Sequence, residues 1–493
     1  MTSPVRQRRD EPETTPEHVD VLIIGAGLSG IGAAAHLTRE LPRTSYVVLE
    51  AREVSGGTWD LFHYPGVRSD SDMFTMGYRF RPWRHEEALG SGERILEYLR
   101  DTAREYDVES HIRYRHRVVR ASWDSDTALW TVEAEVDGEP VTLTAGFLWS
   151  CRGYYDYERG HEPEFPGRDE FGGPIVHPQH WPADLDWADQ EVVVIGSGAT
   201  AVTVVPAMAS DARHVTMLQR SPTYVLSLPH RDPFATRVRR WLPAGTAHRL
   251  VRWKSIVVQA VFYRLSRRRP GLVKRLVRKQ NLALLPEGYD VDTHFTPRYD
   301  PWDQRMCFVP DADLFRAVRR GDVDVVTGTI ERFDANGIVL TDGRHLHADL
   351  IITATGLRLS PFGGIELVVD GRMVDPADEM TYRALMLSGV PNFVFTVGYT
   401  NASWTLKVDL VADFTCRLLA HMSAHGYRSV TPLRDPTVGE MPLMDFTSGY
   451  VVRALDQLPH QGDREPWRLR QSYLRDRRTI RRADLEDGVL SFT

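Results

Sequence analysis

Residues 19–37 read VDVLIIGAGLSGIGAAAHL, and the fold is decided by how this stretch is read. The run Val21 to Ile24 is continuously apolar, as a strand covered on both faces should be, whereas a half-exposed strand would alternate. Gly25-x-Gly27-x-x-Gly30 follows at once, and the residues after it are small, with helical spacing. One glycine permits a tight turn, one lets the backbone approach a pyrophosphate, and one lets the helix pack close to the strand. The helix N-terminus then offers oriented N–H groups to the anion. Ser29 lies within the same turn. The next apolar run, SYVVLEA, ends on Glu50, 25 residues after Gly25. A carboxylate there can accept a hydrogen bond from a ribose hydroxyl.

The pattern recurs at 190–208, QEVVVIGSGATAVTVVPAM, with Gly196-x-Gly198-x-x-Ala201 after the run Val192 to Ile195. The strand-like HVTMLQRS follows, but here the acid is replaced by Arg220, 24 residues after Gly196. An arginine can pair bidentately with a 2′-phosphate. The contrast points to a flavin or other ribose-bearing dinucleotide in the first cradle and NADPH in the second. A ligand-free turn and a solvated arginine are the plainer readings of the second.

Between the cradles, residues 163–182 are rich in Pro, Gly and His and read as a linker. From 236 to 286 there are 14 Lys and Arg and no Asp or Glu, with Trp241, Trp253, Phe262 and Tyr263 interleaved. The segment reads as inserted helices whose aromatics are core, or as those helices with an added contact to an anionic membrane. The fold class expected is therefore α/β, with two Rossmann-like dinucleotide-binding domains and a helical insertion. A disordered tail covers 1–18. The first dinucleotide-binding domain takes 19–160 and 357–493, the second 161–232 and 300–356, and the insertion 233–299.

Composition excludes other classes. Hydrophobic residues at 42% and charged residues at 26% are a globular balance, enough to bury several cores. A net charge of −7 excludes a general nucleic-acid binder. Three dispersed cysteines, Cys151, Cys307 and Cys416, make no CxxC pair, so a dithiol centre and a zinc ribbon are not expected, and a reducing cytoplasm fits. No apolar run is long enough to span a membrane. No metal-ligand cluster has sensible spacing. Oligomeric state is not legible.

Two further stretches are more specific. From Gly56 the chain reads GGTWDLFHYPGVRSD, ending at Asp70, and from Phe171 it reads FGGPIVHPQHWP, with His177 and Trp181 in place. Both resemble the fingerprints of type I Baeyer–Villiger monooxygenases. DQRMCFVPD (303–311) resembles the segment bearing that family's active-site arginine, here Arg305. RSDSDMF, HFTPRYDPWDQR and VGYTNASWTLK resemble the ethionamide-activating subgroup. The resemblance runs from about Val19 to near the C-terminus.

The resemblance implies that Thr58, Trp59, Asp60, Asp70 and Val118 join Gly25, Gly27, Ser29, Gly30 and Glu50 at FAD. It implies that Arg68 and Ser69 join Gly196, Ser197, Gly198, Ala199, Thr200, Ala201, Arg220 and Ser221 at NADPH. It further implies that NADPH reduces FAD and that a flavin peroxide formed with O2 attacks a ketone, giving an ester or lactone. Sulfur in sulfides or thioamides is a second target. Arg305 would stabilise the developing negative charge without supplying a proton, and Asp70 would hold Arg305. His177 is either a linker histidine or a direct participant. Some family members carry Lys before the arginine; this chain has Gln304, which leaves more of the 2′-phosphate to Arg220 and Ser221. A flavin monooxygenase acting on nitrogen or sulfur only, and a non-catalytic flavoprotein sensor, are the alternatives. The expected location is the cytoplasm, with peripheral attachment at the inner membrane face left open.

Overall fold

The computed structural model describes residues 16–444 and 446–493. Up to residue 15, the expected disordered tail lies outside the described residues. The first strand begins two residues before Val19: Glu17 pairs in register with Leu143 and His18 with Thr144, and Glu17 also meets the Arg113 guanidinium. Backbone pairing thus carries the strand past the last apolar residue.

The first sheet is built from β1 (Glu17–Ile24), β2 (Tyr46–Leu49), β3 (Ile112–Arg113), β4 (Arg117–Asp124), β5 (Leu129–Val136) and β6 (Glu139–Ser150). Its parallel part runs β3-β2-β1-β6, with Phe393–Phe395 beside β6, and β6-β5-β4 is an antiparallel meander. Val21 to Ile24 and Tyr46 to Leu49 are buried throughout, as a sheet covered on both faces requires. Helix α1 (Leu28–Glu40) packs on β1, and α2 (Thr58–Leu61), α3 (Met73–Met76) and α4 (Gly92–Glu105) follow.

The crossing strand β7 (Tyr155–Gly160) leads to the second sheet. That sheet uses β8 (Ile175–Val176), β9 (Glu191–Ile195), β10 (His214–Gln219), later β13 (Val323–Thr327) and β17 (Leu350–Thr353). It is parallel throughout, in the order β13-β10-β9-β17-β8, with α5 (Ala201–Met208) after β9. The chain leaves along β11 (Val225–Leu228) and returns along β12 (Cys307–Pro310), and these two strands pair in parallel. Between them lie four helices, α6 (Pro233–Trp241), α7 (Ala244–Arg268), α8 (Pro270–Leu284) and α9 (Val291–Phe295). The basic segment is therefore helical, with both of its ends tied to one ribbon.

After β12 come α10 (Asp313–Arg320) and a small antiparallel sheet, β14 (Ile330–Asp334), β15 (Gly337–Leu340) and β16 (His345–His347). The chain crosses back on β18 (Leu357–Leu359), which pairs with β7, so the two crossings form one antiparallel ribbon. It rejoins the first sheet through β19 (Glu366–Val369) and β20 (Arg372–Val374), and α11 (Thr405–His425) then packs on α1. Among the described residues no helix is long and apolar enough to cross a membrane.

Candidate active site

The first cradle is shaped by what a side chain would strike. Gly25 has φ +97°, a conformation that L side chains rarely adopt. A Cβ on Gly30 would lie 1.8 Å from the Gly25 carbonyl oxygen, so only glycine lets α1 start against the turn. Gly57 crosses so close above that its Cβ would lie 2.9 Å from the Gly27 Cα, and the Gly56 N–H donates to the Ala26 carbonyl at 3.0 Å. The Gly56–Asp70 loop is thus laid directly over the glycine turn.

Glu50 fixes that arrangement. Its carboxylate accepts the Ala26 N–H at 2.7 Å and the Arg52 N–H at 2.9 Å, while burial pushes its pKa upward. A carboxylate has further lone pairs, so a ribose hydroxyl can still be accepted. Ser29 Oγ accepts the Trp404 indole N–H at 2.9 Å, and the Thr58 hydroxyl meets the Tyr157 hydroxyl at 3.0 Å. Asp60 is held by Arg52 and Arg100, each at 2.6 Å, so its carboxylate is already engaged in orienting the loop. Trp59 packs partly buried on the first core, and Val118 is buried on β4.

The same loop reaches the second domain. A Cβ on Gly66 would meet Ala207 of α5 at 2.8 Å. Arg68 donates to Asp313 at the start of α10 at 2.6 Å and to the Val202 carbonyl of α5 at 3.4 Å. Ser69 is buried, and its hydroxyl accepts the Ser71 N–H at 3.0 Å. The loop ends on Asp70, which receives Arg305 in a fork: Nε donates to Oδ2 at 3.0 Å and Nη2 to Oδ1 at 2.7 Å. Arg305 sits two residues before β12, where the insertion returns. Its side chain keeps 37% exposure, so the pair is open to solvent. The Asp70 charge raises the guanidinium well above the ordinary arginine range, holding it cationic. Tyr450 and Tyr155 lie beside it, and burial pushes the Tyr450 phenol upward, keeping it neutral.

The second cradle differs in detail. Gly196 has φ +139°, and a Cβ there would lie 2.3 Å from the Ala354 carbonyl oxygen. At Gly198 a Cβ would meet no atom within 4 Å, which leaves the backbone open to an approaching phosphate. Ala199 and Thr200 continue the turn into α5, which begins at Ala201. Ser197 Oγ donates to the Ser221 carbonyl at 3.1 Å and meets the Thr223 hydroxyl at 2.9 Å. Arg220 and Ser221 are exposed at the end of β10, and Arg220 makes no ion pair with a described residue. Both cradles therefore fit dinucleotides, and the second carries an exposed cation, Arg220, where the first carries the buried acid Glu50.

His177 has both ring nitrogens in use. Nδ1 accepts the Gln179 N–H at 3.2 Å, which leaves Nε2 to donate to the Gly356 carbonyl at 3.1 Å. Its ring packs on Gly160, where a Cβ would fall 2.1 Å from ring Cε1. It thus clasps the β7–β18 crossing, and burial lowers its pKa, keeping it neutral. Trp181 packs edge-on against Trp187. All three cysteines are buried and unpaired, so none supplies a dithiol.

Sequence reasoning did not single out Trp404, Tyr157, Tyr450, Arg52 or Arg100. An apolar pocket is lined by Tyr154, Phe362, Phe395, Leu443, Met444 and Leu458; loops line most of it, as expected, but the insertion does not contribute. Its wall joins the ends of β6 and of the strand Phe393–Phe395 to loops, those of the C-terminal segment included. Tyr154 stacks edge-on to Tyr155 at 4.7 Å, which links the pocket to Arg305. No local periodicity marks such residues.

Two cradles, a loop laid across both and a cationic fork between them define a flavoprotein oxidoreductase. A model of flavin-binding monooxygenase-like proteins matches residues 85–363, and one of NAD(P)-binding Rossmann-like domains matches residues 23–82. The chain belongs to the flavin-binding monooxygenase-like family. It is 55% identical to the FAD-containing monooxygenase EthA of Mycobacterium tuberculosis, over 97% of this chain and 98% of the relative. It is 47% identical to the probable FAD-binding monooxygenase AlmA of Acinetobacter baylyi, over 97% and 96%. Among solved structures, an oxidized steroid monooxygenase bound to NADP matches with TM-score 0.75 at 24% identity, covering 96% of this chain and 99% of that one. That likeness is one of fold.

Proposed function

We propose that this protein is an FAD- and NADPH-dependent Baeyer–Villiger monooxygenase, inserting one oxygen atom of O2 into ketones to give esters or lactones. Sulfides and thioamides are proposed as second substrates. The observation that carries the reading is the solvent-accessible Arg305–Asp70 fork, held at the end of the loop that also covers the first glycine turn. FAD is assigned to 19–160 and 357–493, where the first sheet and Glu50 lie. NADPH is assigned to 161–232 and 300–356, where Arg220 and Ser221 are exposed. Bound FAD, reduced by NADPH, supplies the oxygen activation that no side chain here can provide.

The chain's own residues do the rest. Arg305 places a permanent positive charge where the ketone oxygen becomes negative, and it holds its protons too tightly to quench an anionic nucleophile. Asp70 orients the fork so that little reorganisation accompanies reaction. Tyr450 and Tyr155 wall the guanidinium on one side, and the pocket beyond Tyr154 suits an apolar substituent. Arg220 and Ser221 are positioned to bind a 2′-phosphate. With both nitrogens engaged, His177 acts through the crossing ribbon and not on substrate.

A panel of linear, cyclic and aryl ketones with thioethers, scored by product and not by NADPH loss, tests the reading. Esters from at least one ketone class are expected. Sulfoxides with no ester from any ketone would favour a monooxygenase restricted to sulfur.

A further inference from the structure

The basic insertion has an unusual outer face. On α7 the side chains Arg252, Ser255 and Ile256 are buried, and Arg252 donates to the carbonyls of Phe74, Thr75 and Gly77 and to Asp409. The opposite side carries Leu250, Trp253, Val257 and Val261, all exposed, at the three- and four-residue spacing of one helical face. A solvated helix puts polar residues there. On α8, Val273, Val277 and Asn281 are buried, and Leu272 and Leu276 point outward. Trp241, at the end of α6, is 75% exposed. Of the sixteen exposed large apolar side chains among the described residues, eleven lie between Phe234 and Leu282.

The charge on this surface has one sign. Residues 236–286 hold 14 cations and no acid in a chain of net charge −7. Neighbouring acids engage some of them: Asp232 pairs with Lys254, Asp292 with Arg278, and Asp300 with Lys274. Arg264, Arg268, Arg269 and Lys279 are exposed and form no ion pair with a described residue. Outward apolar side chains between unneutralised cations match an anionic lipid surface, whose headgroups attract the charges while its acyl boundary takes the apolar groups. Two like copies of the face would repel each other. No helix here is apolar enough to span a bilayer, so the contact is interfacial.

We propose that the outer face of α6–α8 is a reversible docking surface for an anionic lipid bilayer. The insertion returns through Arg305 into β12, so docking ties the segment that carries Arg305 to the phase in which apolar substrates concentrate. The docking itself does not depend on which reaction is catalysed.

The test is co-sedimentation of the full-length protein with phosphatidylcholine vesicles, with and without phosphatidylglycerol, at low and high salt. Pelleting with the anionic vesicles at low salt, weakened at high salt, is expected. Replacing Arg264, Arg268, Arg269 and Lys279 together by Gln should lower partitioning about tenfold or more. Trp241→Ser with Leu276→Ser should weaken binding while leaving its salt dependence in place. Quenching of tryptophan fluorescence by brominated lipid should be reduced in the same variant, with the remainder coming from Trp253. Unchanged melting temperatures establish that both variants are folded. The proposal is overturned if the protein stays in the supernatant at low salt, or if the four-Gln variant binds as the parent does. It is equally overturned if, without lipid, the protein forms dimers that the Trp241/Leu276 variant abolishes, which would assign the face to contacts between copies.

Discussion

Replacing Asp70 by Asn isolates what the carboxylate does for Arg305. The amide keeps the shape and one acceptor oxygen, so a hydrogen bond to Nη2 survives, while the charge and the second acceptor of the 2.7 and 3.0 Å fork are lost. Charge-assisted bonds of this kind are roughly twice as strong as neutral ones. Arg305 is 37% exposed and Asp70 18%, so solvent screening reduces the difference. About 1–2 kcal/mol remains, which corresponds to a roughly five- to thirtyfold loss in a rate that depends on the guanidinium's placement. The assay measures the rate of ester formation and the ester formed per NADPH consumed, beside the anaerobic rate of flavin reduction by NADPH. Asp70→Asn should lower the rate of ester formation by that factor, reduce the ester-to-NADPH ratio and leave flavin content intact, whereas Arg305→Ala should still bind flavin and react with NADPH but form no ester. Arg305→Lys should recover only part of the yield, because an ammonium lacks the fork. Parent-like coupling in Asp70→Asn, or parent-like ester yield in Arg305→Ala, would refute the reasoning.

Arg220→Ala should reduce the preference for NADPH over NADH by about ten- to over a hundredfold, from the loss of a charged contact of about 1.5–3 kcal/mol. The ratio of kcat/KM for the two coenzymes reports it, and an unchanged ratio means another residue reads the phosphate. Gly30→Ala drives a methyl to 1.8 Å from the Gly25 carbonyl oxygen, so purified protein should carry little flavin and melt lower; normal flavin content would contradict the close-approach argument. Gly160→Ala pushes a methyl to 2.1 Å from the His177 ring and should loosen the crossing, seen as faster amide exchange in β7 and β18. His36 is buried, which disfavours its charge, but hydrogen bonds to Asp409 and Glu40 outweigh burial and raise it to about 9. A folded pKa above the unfolded value of about 6.5 gives stability that is complete below pH 6.5 and fades as pH rises through 9. The melting-temperature gap between parent and His36→Gln should therefore shrink from pH 6 to pH 10, and a constant gap would mean that His36 is not charged.

The glycine cradles and the sheets they begin were legible because their causes are local. A strand buried on both faces must be apolar throughout, and a turn into a helix that leaves 1.8 Å for a Cβ must use glycine. Both requirements fall within a dozen residues of chain. The helical character of the insertion was legible for the same reason. The linker histidine was visible as a residue, but its task depended on carbonyls that only the second crossing supplies.

The amino-acid sequence by itself determined the two nucleotide folds, their opposite-charge partners Glu50 and Arg220, and the surplus of cations in the insertion. Tertiary structure alone decided which residues share the site. Asp70 and Arg305 are 235 residues apart, Ser29 and Trp404 375, and the pocket's wall combines strand ends with loops, those of the C-terminal segment included. It also decided which side of α7 faces water, since Arg252 is spent on the carbonyls of Phe74, Thr75 and Gly77, leaving Leu250, Val257 and Val261 outside. Periodicity records that a helix has two faces, but only packing against a particular neighbour selects the one that is buried.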